Sequence, residues 1–370
     1  MSGLYIGLMS GTSLDGIDAV LVDFGSTRAR VLGHCSAPMP ATLRAELLAL
    51  NSPTDNELHR AALAANSLVR LYANQVYALL AQCGVKAEAV KAVGAHGQTV
   101  RHRPQEFDGT GYTLQLNNPS LLAELCGITV VADFRSRDVA AGGQGAPLVP
   151  PFHQSFFGNS DQALAVLNIG GISNITVLNP AAPDLLGFDC GPGNALMDAW
   201  CRTHTGQEFD DAGRWGAQGQ VHAGLLTRLL DEPFFAKPPP KSTGRDLFNG
   251  PWLAAKLAGI DAVAPQDVQA TLTELTALSC ARSLQDASRD CKTLVVCGGG
   301  ALNDYLMARL QAALPNCRVT PSDALGLPPL QVEATAFAWL ARQTILGKTA
   351  SLKSVTGALG ARILGGIYPA

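Results

Sequence analysis

Leu4 to Leu8 is a short apolar run that breaks into small hydroxyl and glycine residues and resumes as Ala19-Val20-Leu21-Val22. That pattern predicts strand, tight loop, strand, with a loop stripped of bulk and rich in N–H and O–H donors. A third strand-like run covers Arg30 to His34. From Asp55 to Cys83, Ala and Leu at helical spacing predict a long helix, stopped by Gly84. Val90 to Ala95 reads as a buried strand leading into His96-Gly97-Gln98-Thr99. Asn118-Pro119 opens a short helix, Ser120 to Cys126, which Gly127 closes. Ile128 to Ala132 is a further strand, delivering the run Asp133 to Asp138. Glycine and proline punctuation from Gly142 to Pro151 reads as a crossing between domains or as a substrate loop.

The second half repeats this grammar. Ala163 to Ile169 enters Gly170-Gly171-Ile172-Ser173-Asn174 and leaves through Ile175 to Leu178, an echo of the opening hairpin. Two such hairpins facing each other across a cleft would grip a nucleotide's phosphates from both sides. Later, Leu294 to Cys297 runs as a strand into Gly298-Gly299-Gly300 and a helix from Asn303. Such a unit lets backbone lie flat against a base or ribose, and it is equally a plain structural turn. A chain of 370 residues exceeds one hydrophobic core, so two domains are expected, 1–140 and 141–370.

Composition narrows the class. Hydrophobic residues make up 47% and charged residues 15%, as in a globular protein with a sizeable core. A net charge of −3 leaves no footprint for nucleic acid, and no lysine/arginine run suits a membrane surface. Nine cysteines are scattered singly without a CxxC pair, which argues for reduced thiols. No apolar run reaches the roughly 18 residues of a membrane span. The start of the sequence shows no signal-peptide pattern, so a cytoplasmic protein is expected.

Candidate chemistry lies in the loops. Glycine and hydroxyl groups between Gly11 and Asp18 suit a polyphosphate, and Asp15 and Asp18 are candidate Mg²⁺-side oxygens, although a plain hairpin turn has the same composition. Asp189, before Gly191-Pro192-Gly193 and with Asn194 as the expected helix N-cap, is the best catalytic carboxylate; capping its own turn is the bland alternative. Arg135 and Arg137 suit a substrate carboxylate, or else pair with Asp133 and Asp138. His96 with Gln98 and Thr99 reads as a sugar-hydroxyl clamp or as a satisfied turn histidine. Glu333 is a first-turn acid favoured by the helix dipole, or it faces a cleft. Gly347-Lys348-Thr349 imitates the end of a P-loop, but Arg342 stands where the first glycine belongs. Lys241 to Arg245, set off by Pro238 to Pro240, reads as a mobile polar loop near the cleft.

Taken in order, the segments Gly7 to Asp18, Ala95 to Thr99, Asp133-Phe134-Arg135, Gly142 to Pro150, Leu167 to Gly171 and Phe188 to Asn194 resemble the anhydro-N-acetylmuramic acid kinases of bacterial cell-wall recycling. The resemblance runs to Thr356-Gly357-Ala358-Leu359-Gly360. It implies an α/β fold of two related ribonuclease-H-like domains with a central cleft, the architecture of actin-like ATPases and sugar kinases. An Asp usually opens the first phosphate loop of that superfamily; here Met9 and Ser10 precede Gly11-Thr12. The implied reaction opens the sugar's 1,6-anhydro bond with water while ATP phosphorylates O6. Asp189 would be the base, with Arg135 or Arg137 holding it ionised. Sugar contacts would come from His96, Gln98, Thr99, Gln144 and Glu333. ATP would meet Gly11, Thr12, Ser13, Leu14, Asp15, Gly16, Ile17 and Asp18, with Gly170, Gly171 and Asn174 opposing and Gly298, Gly299 and Gly300 under the adenosine. ATP and Mg²⁺ are the implied cofactors, and a homodimer the implied assembly. The competing readings are an ordinary kinase for an open hexosamine or small carboxylate, and a chaperone-like ATP-dependent clamp.

Overall fold

The protein is described from a computed structural model, which describes residues 3–26, 29–158, 162–181, 184–245 and 247–370. Its strands in chain order are β1 (Leu4–Met9), β2 (Gly16–Asp23), β3 (Arg30–Pro38), β4 (Val90–Ala95), β5 (Gln98–Pro104), β6 (Gly111–Leu116) and β7 (Val130–Ala132). They continue as β8 (Leu164–Ile169), β9 (Ile172–Leu178), β10 (Leu186–Pro192), β11 (Thr293–Cys297), β12 (Arg318–Pro321) and β13 (Gly366–Tyr368).

The chain divides into two compact units, Met1–Phe156 with Gln331–Ala370, and Phe157–Leu330. The expected boundary at 140/141 therefore differs from the observed division. Residues 141–156 stay with the first unit, and the chain returns to it after residue 330. The return is physical: the helix Val332–Ile345 packs on β1, β2 and β4, and β13 pairs antiparallel with β7.

Each unit is built on one mixed sheet. In the first the order is β13-β7-β4-β1-β2-β3, and in the second β10-β9-β8-β11-β12. In both, the first strand of the unit pairs antiparallel with the second and the second with the third. The first strand also pairs parallel with the next core strand, which pairs parallel with its own neighbour. Setting aside β13 and the separate β5–β6 ribbon, the two sheets share one strand order and one set of directions. This is the ribonuclease-H-like arrangement expected from the sequence, and the β8–β9 hairpin occupies the place of β1–β2.

Alternation along the strands decides what each face meets. Ile6, Leu8, Ile17, Ala19 and Leu21 cluster with Leu68, Tyr72, Val76 and Leu79 of the helix Glu57–Cys83. On the opposite face, a Cβ at Gly7 would stand 1.8 Å from the Ala334 carbonyl oxygen, and one at Gly94 would stand 2.1 Å from that of Phe337. Only glycine lets the helix Val332–Ile345 lie this close to the sheet. In the second unit Leu167, Ile169, Ile175, Phe188 and Cys190 cluster with Leu272, Leu275 and Leu284 of the helix Pro265–Ala287. The alternate positions Asn168, Asn174 and Asp189 therefore fall on the other face. No helix among the described residues is long and apolar enough to cross a membrane.

Candidate active site

The loop between β1 and β2 is held from below and left bare above. Ser10 is 1% exposed; its hydroxyl donates to the Gly97 carbonyl (3.1 Å) and accepts from Tyr72 (2.8 Å). Burial pushes the Tyr72 phenol pKa up, consistent with its hydroxyl staying protonated as the donor. Gln98 Nε2 donates to the Gly11 carbonyl (3.1 Å), and Leu14 N–H closes a turn onto the same oxygen (3.1 Å). Gln98, 1% exposed, thus braces the loop through its amide nitrogen. Leu14 and Ile17 bury their side chains in the core, so they offer a ligand backbone alone. Gly16 is required by packing, since a Cβ there would stand 2.7 Å from the Ala37 carbonyl oxygen.

Gly11 is different. A Cβ there would meet nothing nearer than Ser13 Oγ at 3.4 Å. Packing does not demand glycine at this position, and its bareness leaves room for close approach. Among the described residues the N–H groups of Gly11, Thr12 and Ser13 have no acceptor, which leaves consecutive donors for an anion. Asp15 accepts from Ser13 Oγ (2.6 Å) and from Gly16 N–H (2.9 Å), and Asp18 contacts His34 Nε2 (2.9 Å).

His96 is 4% exposed, and its ring packs on Phe337 with centroids 4.7 Å apart. Its Nε2 accepts from Arg135 Nε (3.2 Å) and Nη2 (2.9 Å). Burial and then the Arg135 charge push its pKa down to about 3, so the ring is neutral, with its proton on Nδ1. That Nδ1 lies near the Gly97 and Ser10 backbone but makes no hydrogen bond of good geometry. The histidine therefore holds an arginine. Arg135 Nη1 also donates to the Gly145 carbonyl (2.8 Å), which fixes two sides of the guanidinium.

The neighbouring acids are committed elsewhere. Asp138 is fully buried and accepts from Gly145 N–H (2.8 Å) and Thr356 Oγ1 (2.8 Å). Asp133 accepts from Ser136 Oγ (2.5 Å). Arg137 is exposed and makes no hydrogen bond or ion pair among the described residues. Thr99 and Gln144 are half-buried; Thr99 Oγ1 accepts from Gln115 and Gln144 N–H donates to Thr356. Glu333 is half-buried in the first turn of its helix.

In the second unit the register assembles a polar row. Asn168 of β8 stands opposite Asn174 of β9, and Asn174 opposite Asp189 of β10. Residues directly opposite in antiparallel strands share a face. Just past Asp189 the β9–β10 register shifts in a bulge, a device that re-aims side chains beside functional sites. The Asp189 carboxylate accepts from Thr243 N–H (2.9 Å), and its own N–H donates to the Lys241 carbonyl (3.1 Å).

Asn194 is not the N-cap that the sequence suggests; Gly193 occupies that position. The N–H groups of Gly193, Asn194 and Ala195 donate to the carbonyls of Gly170 and Gly171, so the second hairpin itself caps the helix Asn194–Thr205. Asn194 Nδ2 also donates to the Ile169 carbonyl (3.2 Å). A Cβ at Gly170 would clear everything to 3.8 Å, so this glycine, like Gly11, is not imposed by packing. The triple glycine divides in role. Gly298 (φ +77°) and Gly300 are pressed against Ile169, where a Cβ would come within 2.6 and 2.4 Å. Gly299 is exposed, and a Cβ there would stand 3.2 Å from Asn194 Nδ2.

A sequence profile of the anhydro-N-acetylmuramic acid kinases matches residues 3–370. The chain belongs to that family. It is 64% identical to the anhydro-N-acetylmuramic acid kinase of Albidiferax ferrireducens, across 100% of both chains. It is 65% identical to that of Variovorax paradoxus, across 99% of each. Membership makes it an ATP-dependent sugar kinase. Among solved structures, a ROK family glucokinase from Streptomyces griseus covers 92% of this chain and 100% of its own at 15% identity and a TM-score of 0.43, a likeness that adds no weight to the strand order. Sequence reasoning missed Thr243 as the partner of Asp189 and the Asp138–Thr356 pair behind Arg135. Only the polar composition of Lys241 to Arg245 hinted at the former.

Proposed function

We propose that this kinase opens the anhydro ring of 1,6-anhydro-N-acetylmuramic acid hydrolytically and phosphorylates O6, giving N-acetylmuramate 6-phosphate and ADP. The observation that carries the reading is the placement of Asp189. It lies at a bulge, on the polar face of the sheet, with one carboxylate oxygen held by Thr243 N–H. The anhydro sugar has no free 6-hydroxyl, so a base has no proton to take there. Asp189 instead takes a proton from water, whose oxygen bonds to C1 as the C1–O6 bond breaks. The departing O6 bonds to the γ-phosphorus as the bond to ADP breaks. General-base assistance of this kind contributes roughly 10²–10⁴-fold, and positioning and charge neutralisation supply the remainder.

Arg135 is assigned to the substrate's anionic group because its guanidinium is already fixed by His96 and Gly145; exposed Arg137 joins it. Thr99, Gln144 and Glu333 remain the proposed sugar contacts. The bare glycines Gly11 and Gly170, with the donors beside them, are assigned to the ATP phosphates, and Gly299 to the adenosine. Mg²⁺ fits this site as an ion carried by the nucleotide. Among the described residues no group of three or more His, Cys, Asp or Glu could hold a metal, and Asp15 and Asp18 already have partners. Mg²⁺ commonly keeps several waters and relies on substrate phosphates, with Asp15 and Asp18 at most touching those waters. The reading places a homodimeric enzyme in the cytoplasm.

Turnover in ¹⁸O-labelled water tests the reaction. Label is expected at the C1 oxygen of the product. Product without label would assign the chain to ordinary hydroxyl phosphorylation of an open sugar.

A further inference from the structure

Beyond the Thr243 contact, the segment Lys241 to Arg245 has no role in the assignment above, yet three contacts tie it to the chemistry of its unit. The Lys241 carbonyl accepts from Asp189 N–H (3.1 Å), and Thr243 N–H donates to Asp189 Oδ2 (2.9 Å). Two residues on, the Arg245 guanidinium lies over the second hairpin: a Cβ at Gly171 would stand 3.3 Å from its Nη2 and 3.5 Å from its Nε. Glycine at 171 leaves room for that cation.

The segment is anchored at both ends. Lys241 Nζ donates to the Phe235 carbonyl (3.3 Å) and sits 4.9 Å from the centroid of the Phe234 ring. Beyond Arg245, Asn249 Nδ2 donates to the Arg245 carbonyl (3.1 Å) and Phe248 N–H to the Gly244 carbonyl (3.1 Å). One short, fixed segment therefore holds the proposed base at one point and delivers a guanidinium to the bare glycine hairpin at another. Arg245 itself is exposed.

We propose that Arg245 is a catalytic residue of this kinase, whose guanidinium donates to the oxygens of the phosphoryl group in transfer. The arginine stays protonated throughout and exchanges no proton; it neutralises charge that spreads over the phosphoryl oxygens as the bond to ADP breaks. This inference rests on the phosphate reading of the Gly170–Gly171 hairpin.

The test uses the full chain and the variants Arg245→Ala, Arg245→Lys and Gly170→Asp. It measures steady-state kinetics, melting temperature, and binding of ADP and of ADP with fluoroaluminate, a planar phosphoryl mimic. Arg245→Ala is expected to lower kcat at least about a hundredfold, to keep ADP affinity within about threefold, and to lose the extra affinity for the fluoroaluminate complex, while Arg245→Lys recovers part of the rate. Near-normal kcat in Arg245→Ala overturns the proposal. So does a parallel fall of ADP affinity and melting temperature, which would make the arginine a structural strap. Gly170→Asp separates the two claims. If it abolishes ADP binding while Arg245→Ala turns over normally, the hairpin reading stands and Arg245 falls. If it leaves ADP affinity intact in a folded protein, the hairpin reading itself fails, and this inference with it.

Discussion

The two units share one strand arrangement and use it differently. In the first, the face of β1 and β4 turned away from the helix Glu57–Cys83 is closed backbone-on-backbone by the helix Val332–Ile345 over Gly7 and Gly94. In the second, the equivalent strands carry no such glycines, and the corresponding face bears Asn168, Asn174 and Asp189. The titratable groups differ as well. The first unit holds three histidines pushed to low pKa, His96 and His153 buried and His102 half-buried, and one buried thiol, Cys126. The second buries six thiols, at positions 190, 201, 280, 291, 297 and 317. One frame thus serves as a rigid seat for an arginine and a bare loop, and the other as the bearer of a polar row that includes the proposed base.

The sharpest way to break this comparison is to disturb the glycine contact. Gly94→Ala forces a Cβ to 2.1 Å from a backbone oxygen that cannot swing aside. A loss above about 3 kcal/mol is expected, at the upper end of overpacking costs, and denaturant unfolding measures it. A variant of near-native stability would show that the helix is not seated on the sheet as described. Next, Asp189→Asn leaves fold and ADP binding intact and lowers turnover at least about a hundredfold. ADP release in a coupled assay reads this directly, and a near-normal rate removes the second unit's claim to the base.

Acid gives a smaller, graded effect. The pKa values of His96 and His153 are pushed to about 3 and that of His102 to about 4, in each case first by burial. The unfolded chain takes up these protons near 6.5, the folded chain only near 3–4, so the unfolded state binds more protons in between. The stability is fully present above about pH 6.5 and is lost as pH falls, at about 1.4 kcal/mol per pH unit for each histidine. Hydrogen exchange between pH 7 and 5, corrected for intrinsic rates, should show the first unit opening before the second. The reverse order would break the comparison. The smallest stability effect belongs to Gly11→Ala, within about 1 kcal/mol, because that Cβ has room. Its nucleotide affinity is expected to fall nonetheless; unchanged affinity would make the loop a plain turn.

What the sequence discloses follows local periodicity. Both hairpins, the long helix ending at Gly84 and the strand before the triple glycine are legible because their apolar spacing and turn residues lie within one window. The echo between β1–β2 and β8–β9 survives for the same reason. Contacts across long separations leave no such trace. Nothing around His96 announces Arg135 as its partner, or that burial keeps the ring neutral. Asp138 reads like any acid beside two arginines, whereas its partner Thr356 lies 218 residues away. Asn194 has the residue type of an N-cap, but the carbonyls of Gly170 and Gly171 already take the donors that it would serve. The departure of the chain from the first unit and its return are equally invisible, because Gln331 follows Leu330 without a change of composition.

That return has a consequence for synthesis. The second unit is one continuous stretch, 157–330, whereas the first is closed by a helix that leaves the ribosome only after it. At roughly 5–20 residues per second, residues 157–345 take about 10–40 s to make. Through that interval the nascent first unit carries a sheet whose Gly7 and Gly94 face lacks its cover. The half of the protein that is begun first is finished last, and it is the half that a holding chaperone would be expected to meet.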